Sequence, residues 1–178
     1  MTTANAQRPA RLSGLDLARY LAFVGMVIVN FKIAMGADDA GLANSFMTLL
    51  EGRAAATFVV LAGLGLGLAA QRGLSQTALT TLKRALFLLL IGLLNMLVFD
   101  ADILHYYAFY FLFGALMLPL TTRQLLWAVL LLNFAFLLML FTLDYDAGWN
   151  WDDYTYTGFW TPAGFVRNLF FNGWHPII

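Results

Sequence analysis

Two histidines, ten carboxylates and no cysteine make up the titratable chemistry of this 178-residue chain, apart from its tyrosines and bases. The most suggestive pairing lies in DADILHYYAFY, where His105 follows Asp102 by three residues, so a helix would put imidazole and carboxylate on one face. A carboxylate that engages one ring nitrogen orients the imidazole and leaves the other nitrogen to take or give a proton, as general-base chemistry requires. The second imidazole, His175 in NGWHPII, precedes a proline and therefore sits on extended backbone. Asn30 is an amide near the far end of the apolar stretch RLSGLDLARYLAFVGMVIVNF. There it can bond a neighbouring helix or steady a developing oxyanion. Arg19 lies about 16 Å further down the same helix at 1.5 Å per residue. It can neutralise Asp16, three residues before it, or face a cavity and bind an anion. Arg72, Lys83 and Arg84 in QRGLSQTALTTLKRA suit phosphates, and they equally suit a cytoplasmic loop.

Several chemistries drop out. Without cysteine there is no disulfide, thiolate cluster or thiol nucleophile. GLGLG sits within an apolar helix and lacks the strand–loop–helix setting of a phosphate loop. Two histidines with no second helical pair argue against haem, so neither metal nor haem is expected. A net charge of zero argues against a nucleic-acid partner.

The elements that must position these groups are membrane helices. The chain is 61 % hydrophobic and 11 % charged, against about 45–50 % and about 25 % in soluble domains. Apolar stretches at 15–34, 54–70, 85–99, 103–120 and 125–143 approach the ~20 residues that a span needs. The expected fold is all-α, a polytopic membrane helical bundle of about five transmembrane helices over 1–143. Residues 144–178, aromatic, acidic and punctuated by Gly and Pro, read as an outer-face interfacial segment leading toward a further helix. The apolar start is too long, and too interrupted by Asn30 and Lys32, for a cleaved signal.

Alternating the helices places seven of the ten basic residues on one side: Arg8, Arg11, Arg19, Arg72, Lys83, Arg84 and Arg123. Nine of the ten acids fall on the other. By the positive-inside rule the N-terminus is cytoplasmic. Asp102, His105, Asn30 and His175 then lie toward the outside. Ionisable groups within a membrane cost on the order of 2.5–3.5 kcal/mol each, which makes them functional candidates by default.

Taken in order, LDLAR, GMVIVNF, EGRAAATFVVLAGLGLGL, LKRALFLLLIGLLN, DILHYYAFYFLFGALMLP and FFNGWHPII resemble the transmembrane acyltransferase superfamily. The resemblance is closest to bacterial membrane proteins with a heparan-α-glucosaminide N-acetyltransferase domain, and it covers nearly the whole chain. It implies a bacterial inner-membrane enzyme that moves an acyl group, acetyl from acetyl-CoA, to a sugar-type acceptor outside. In that branch an Asn at the position of Asn30 is an active-site residue, and a catalytic His follows in the next outer loop. Residues 31 to 53 contain no His, so His105 with Asp102 is the substitute base. Arg19, Arg72, Lys83 and Arg84 would face the donor's phosphates. Relatives continue past the HP motif, so an amino-terminal half is expected, completed by another copy or by a missing carboxy-terminal half. The competing expectation is a non-catalytic membrane module, a transporter or lipid-binding half-bundle.

Overall fold

The computed structural model describes residues 13–35 and 41–174, and most of them are helical. Helix α1 spans Ser13–Met35, α2 Leu42–Leu50, α3 Arg53–Ala70, α4 Leu74–Asn95, α5 Leu104–Met117 and α6 Thr122–Thr142. A two-residue ribbon follows, β1 (Trp149–Asn150) antiparallel to β2 (Thr155–Tyr156). Then come α7, Pro162–Arg167, and a π-helical turn, Asn168–Asn172. Among the described residues, four helical runs are long and apolar enough to cross a membrane: Ser13–Ile33, Asn44–Ala70, Leu74–Asn95 and Thr122–Thr142. The protein is therefore an all-α, multi-pass membrane protein.

Burial is inverted relative to a soluble core, as lipid requires. Many of the buried apolar side chains are small, including Ala22, Ala54, Ala85, Ala101 and Ala108. Large ones such as Phe31, Val60, Phe87, Leu131, Phe134 and Phe141 point outward. Small residues let helices approach closely, and bulky ones meet acyl chains at no penalty. On α6 no residue is buried. That helix begins with a reciprocal cap, in which the Thr121 hydroxyl accepts from the Gln124 N–H while the Gln124 side chain accepts from the Thr121 N–H.

The chain divides into two compact units, Met1–Gly65 and Leu66–Ile178. In the first, Gly25 of α1 lies against Ala54 of α3, so close that even a methyl group would press on the alanine. Lys32 of α1 donates to Glu51, just past α2, at 2.7 Å. The short helix α2 was not anticipated. Its nine residues, LANSFMTLL, are apolar on one face only and too few to span.

In the second unit α4 and α5 form the main helix pair. Expected at 85–99, the third span instead starts at Leu74, because LSQTALTTL propagates a helix behind the polar N-terminal turn while Lys83 and Arg84 lie exposed on its surface. It ends at Asn95, and the 96–103 stretch turns the chain into α5. At 14 residues α5 is about 21 Å long, short of the bilayer core. Residues 144–174 fold over the end of this pair where α4 turns into α5. Met96, Tyr156 and Phe159 form their shared core, with Leu93, Trp149 and Phe165 packed around it.

Candidate functional site

The helix turn that carries His105 begins with a carboxylate. Asp102 stands two residues before α5 and its Oδ2 accepts the His105 backbone N–H at 3.0 Å, satisfying one of the donors a helix start leaves free. The same oxygen meets His105 Nδ1 at 3.0 Å, and Asp102 Oδ1 accepts from Asn95 Nδ2 of α4 at 2.7 Å. Asp102 therefore lies just outside the helix, one residue ahead of its N-cap Ile103, rather than a turn earlier on the same helix. The carboxylate orients the ring through Nδ1, and Nε2 is the nitrogen turned toward the rest of the cluster. Gly92 makes the approach possible, since a Cβ there would run into the His105 backbone and the Asp102 carboxylate.

Nε2 faces Asn168 Oδ1 at 3.3 Å. The same amide oxygen accepts the Tyr106 hydroxyl at 2.5 Å, and that hydroxyl accepts the Trp174 N–H at 3.0 Å. Because Trp174 N–H occupies the phenol oxygen, the phenol proton is directed to Asn168, and this sets which end of the amide faces inward. His105, Tyr106 and Asn168 are each 0 % exposed. Asn168 Nδ2 is buried with no hydrogen-bond partner. Few buried groups are left so, and such exceptions mark strain or function.

The segment that delivers Asn168 is locally specified. Thr161 caps α7 by accepting the Gly164 N–H at 3.0 Å, and Pro162 occupies the first turn, where its missing N–H is harmless. The helix then widens into the π-turn at Asn168–Asn172. Around it, Arg167 Nε donates to Tyr156 Oη at 2.8 Å, and Tyr156 donates to Asn172 Oδ1 at 2.7 Å. Trp149 Nε1 donates to the Asn172 carbonyl at 2.6 Å, and Asn172 Nδ2 donates to the Ala147 carbonyl. Asp100, from the turn after α4, accepts the Tyr156 N–H at 2.8 Å. Gly173 cannot be replaced without a clash, because a side chain would strike the Asn168 carbonyl and the Tyr106 hydroxyl. The FFNGW stretch is thus spent entirely on seating this cluster.

Beside it lies an aromatic patch. Trp149 and Trp151 stack at 4.8 Å, Trp174 sits 6.0 and 5.9 Å from them, and Tyr154 meets Trp174 edge-on at 5.5 Å. Trp151 is 44 % exposed and donates from Nε1 to Asp146 at 2.8 Å. Tyr154 holds φ 56°, a left-handed conformation that is uncommon for a side chain of its size.

The remaining candidates are dispersed. Arg19 donates from Nε and Nη2 to the Leu61 carbonyl of α3 at 3.2 and 3.0 Å, with Nη1 3.5 Å from Asp16. A backbone oxygen and its own helix's acid thus fill the place expected for an anion. Gly65 leaves the notch in which this guanidinium sits. Asn30 is half-buried on α1 of the first unit. Arg72 is exposed in the turn between α3 and α4, and Lys83 and Arg84 line an open groove with Thr80, Phe87, Leu88 and Phe111. His175 lies outside the described residues. Among the described residues no cluster of three or more His, Cys, Asp or Glu could hold a metal ion.

Sequence reasoning named Asp102 and His105 but missed Asn95, Tyr106 and Asn168. Asn95 had a signal, being a polar end to an apolar helix seven residues before Asp102. Asn168 had none, since it comes from 63 residues beyond His105.

Comparison with known proteins comes from one source. The family model described as heparan-alpha-glucosaminide N-acetyltransferase, catalytic, matches residues 11–174. No curated protein and no solved structure matches the chain.

Proposed function

Because the chain belongs to the heparan-α-glucosaminide N-acetyltransferase catalytic family, and is a membrane protein of acyltransferase type, we propose that it transfers acetyl from acetyl-CoA to the amine of an amino sugar on the outer face. The observation that carries this reading is the Asp102–His105 dyad, held at 3.0 Å inside the helix pair with Nε2 turned to Asn168 Oδ1 at 3.3 Å. An amine that attacks a thioester must lose a proton, and an imidazole oriented by a carboxylate takes it.

The other roles follow from charge and placement. Asn30, on α1, is the kind of amide that polarises a carbonyl in acyl transfer. Arg72, just ahead of α4, and Lys83 and Arg84, midway along it, are exposed cations that hold the phosphates of the nucleotide thioester. Trp151, with Asp146 at its indole N–H, offers a face on which a sugar ring stacks, beside the carboxylates of Asp152 and Asp153. With the N-terminus cytoplasmic, donor phosphates meet the basic side and the acceptor meets the acidic, aromatic side, in the inner membrane of a bacterium.

The test is transfer of labelled acetyl by the chain in proteoliposomes. His105→Ala should lower kcat by about 10²–10⁴-fold, the usual contribution of a positioned base. Wild-type turnover by both His105→Ala and Asn30→Ala at equal membrane level would remove the site. If acetyl-CoA fails to bind the intact fold, a transport or lipid-binding module takes its place.

A further inference from the structure

Acyl transfer needs a second group besides a base: a donor to the carbonyl oxygen, which becomes negative as the nucleophile adds. We propose that Tyr106 is that donor, and that Asn168 Oδ1 stands where the acetyl carbonyl oxygen would lie. This rests on the acyl-transfer reading above.

Asn168 presents the group that the reaction makes, since a carboxamide has the same carbonyl and nitrogen as an acetylated amine. Its oxygen receives the Tyr106 hydroxyl at 2.5 Å and lies 3.3 Å from His105 Nε2. An acetyl carbonyl in the same place would meet the same two groups. Its nitrogen is buried without a hydrogen-bond partner, so the amide is held through its oxygen. A cluster made only to anchor the outer segment would satisfy both ends of the amide.

Tyr106 is prepared for the role. Trp174 N–H occupies its oxygen at 3.0 Å and turns its proton toward the carbonyl site. Gly173 leaves room for the hydroxyl. Its ring lies 3.8 Å from that of His105, so donor and base act on one carbonyl from adjacent positions. The π-turn that carries Asn168 is the part that must withdraw to admit substrate, and π-turns within helices recur at such sites.

The step balances. The acceptor nitrogen adds to the thioester carbon while the Tyr106 O–H bonds the forming oxyanion. His105 Nε2 takes the proton lost by the nitrogen. The tetrahedral species then collapses, the carbon–sulfur bond breaks, and the CoA thiolate leaves with the proton from Nε2. Thioester and amine become amide and thiol, and Tyr106 keeps its proton throughout.

The experiment uses the full chain in proteoliposomes with acetyl-CoA and glucosamine. Tyr106→Phe, which removes one oxygen, should lower kcat by about 10²–10³-fold, as loss of an oxyanion donor does, with the acceptor KM near that of wild type. Asn168→Ala should raise kcat/KM, because the acceptor no longer competes with the carboxamide. A purely structural Asn168 would lose turnover instead. In a His175→Gln background, Asn168→Ala should also let diethylpyrocarbonate acylate His105 faster, a readout that needs no turnover. Full turnover by Tyr106→Phe, or unchanged His105 reactivity in folded Asn168→Ala, overturns the assignment while acyl transfer stands. A wild-type chain that transfers nothing removes both.

Discussion

Arg19 and His105 both sit within helices of a membrane protein, and each is admitted by a glycine on the facing helix, Gly65 beside the guanidinium and Gly92 beside the His105 backbone. They are satisfied in opposite ways. Arg19 ends on fixed partners, the Leu61 carbonyl and an acid of its own helix. Two N–H groups on one backbone oxygen hold α1 to α3 and leave little to exchange. His105 is fixed at one nitrogen only. At the other it meets a side-chain amide borne by a π-turn, and half of that amide is unpartnered. An ionisable group closed off by backbone is a clamp, whereas one closed off by a movable side chain can open. Composition and depth cannot separate the two, but the identity of the last hydrogen-bond partner can.

The comparison is sharpest in turnover. Asp102→Asn should cost activity on the scale of His105→Ala, about 10²–10⁴-fold, while Arg19→Lys should leave turnover per folded molecule intact. Equal losses from Asp102→Asn and Arg19→Lys, in labelled acetyl transfer normalised to folded protein, would erase the distinction. Stability tests come next. At Gly92 a methyl group meets His105 backbone, which cannot swing aside, so Gly92→Ala should destabilise by about 1–3 kcal/mol or prevent α4–α5 pairing altogether. At Gly65 the methyl group meets only the tip of a flexible arginine, so Gly65→Ala should cost about 1 kcal/mol, through the displaced guanidinium. Thermal unfolding in detergent reads both, and a larger effect at Gly65 would reverse the ranking. Smallest is Lys32→Met. It breaks the 2.7 Å pair with the partly exposed Glu51, and should shift stability by less than about 1 kcal/mol on the same measurement.

Much of this was legible beforehand, because bilayer thickness and hydropathy act over windows of about twenty residues and need no knowledge of partners. Helix class and the basic-to-acidic polarity along the chain are of that kind, whereas about five spans were expected and four described helical runs are long enough to cross, α5 being short. The pairing of Asp102 with His105 was legible too, since three residues set it locally. The helix starts were less so. Leu74 begins α4 well before the apolar run because a helix needs only continued backbone bonding, and its polar first turns lie outside the stretch that hydropathy detects. Nor did GLGLG show that one of its glycines, Gly65, makes space for a guanidinium.

By itself, then, the amino-acid order determined a membrane-spanning helical chain, its family and one carboxylate–imidazole pair, all of which depend on composition or on neighbours within a few residues. Only the tertiary structure decided that Arg19 is held by a carbonyl, that Asn95 braces Asp102 from another helix, and that Asn168 and Tyr106 complete the surroundings of His105. Those partners lie up to 63 residues apart in the chain. Hydrogen bonding acts over about 3 Å, so which groups meet is settled by how helices and turns pack, and no period in the sequence records it.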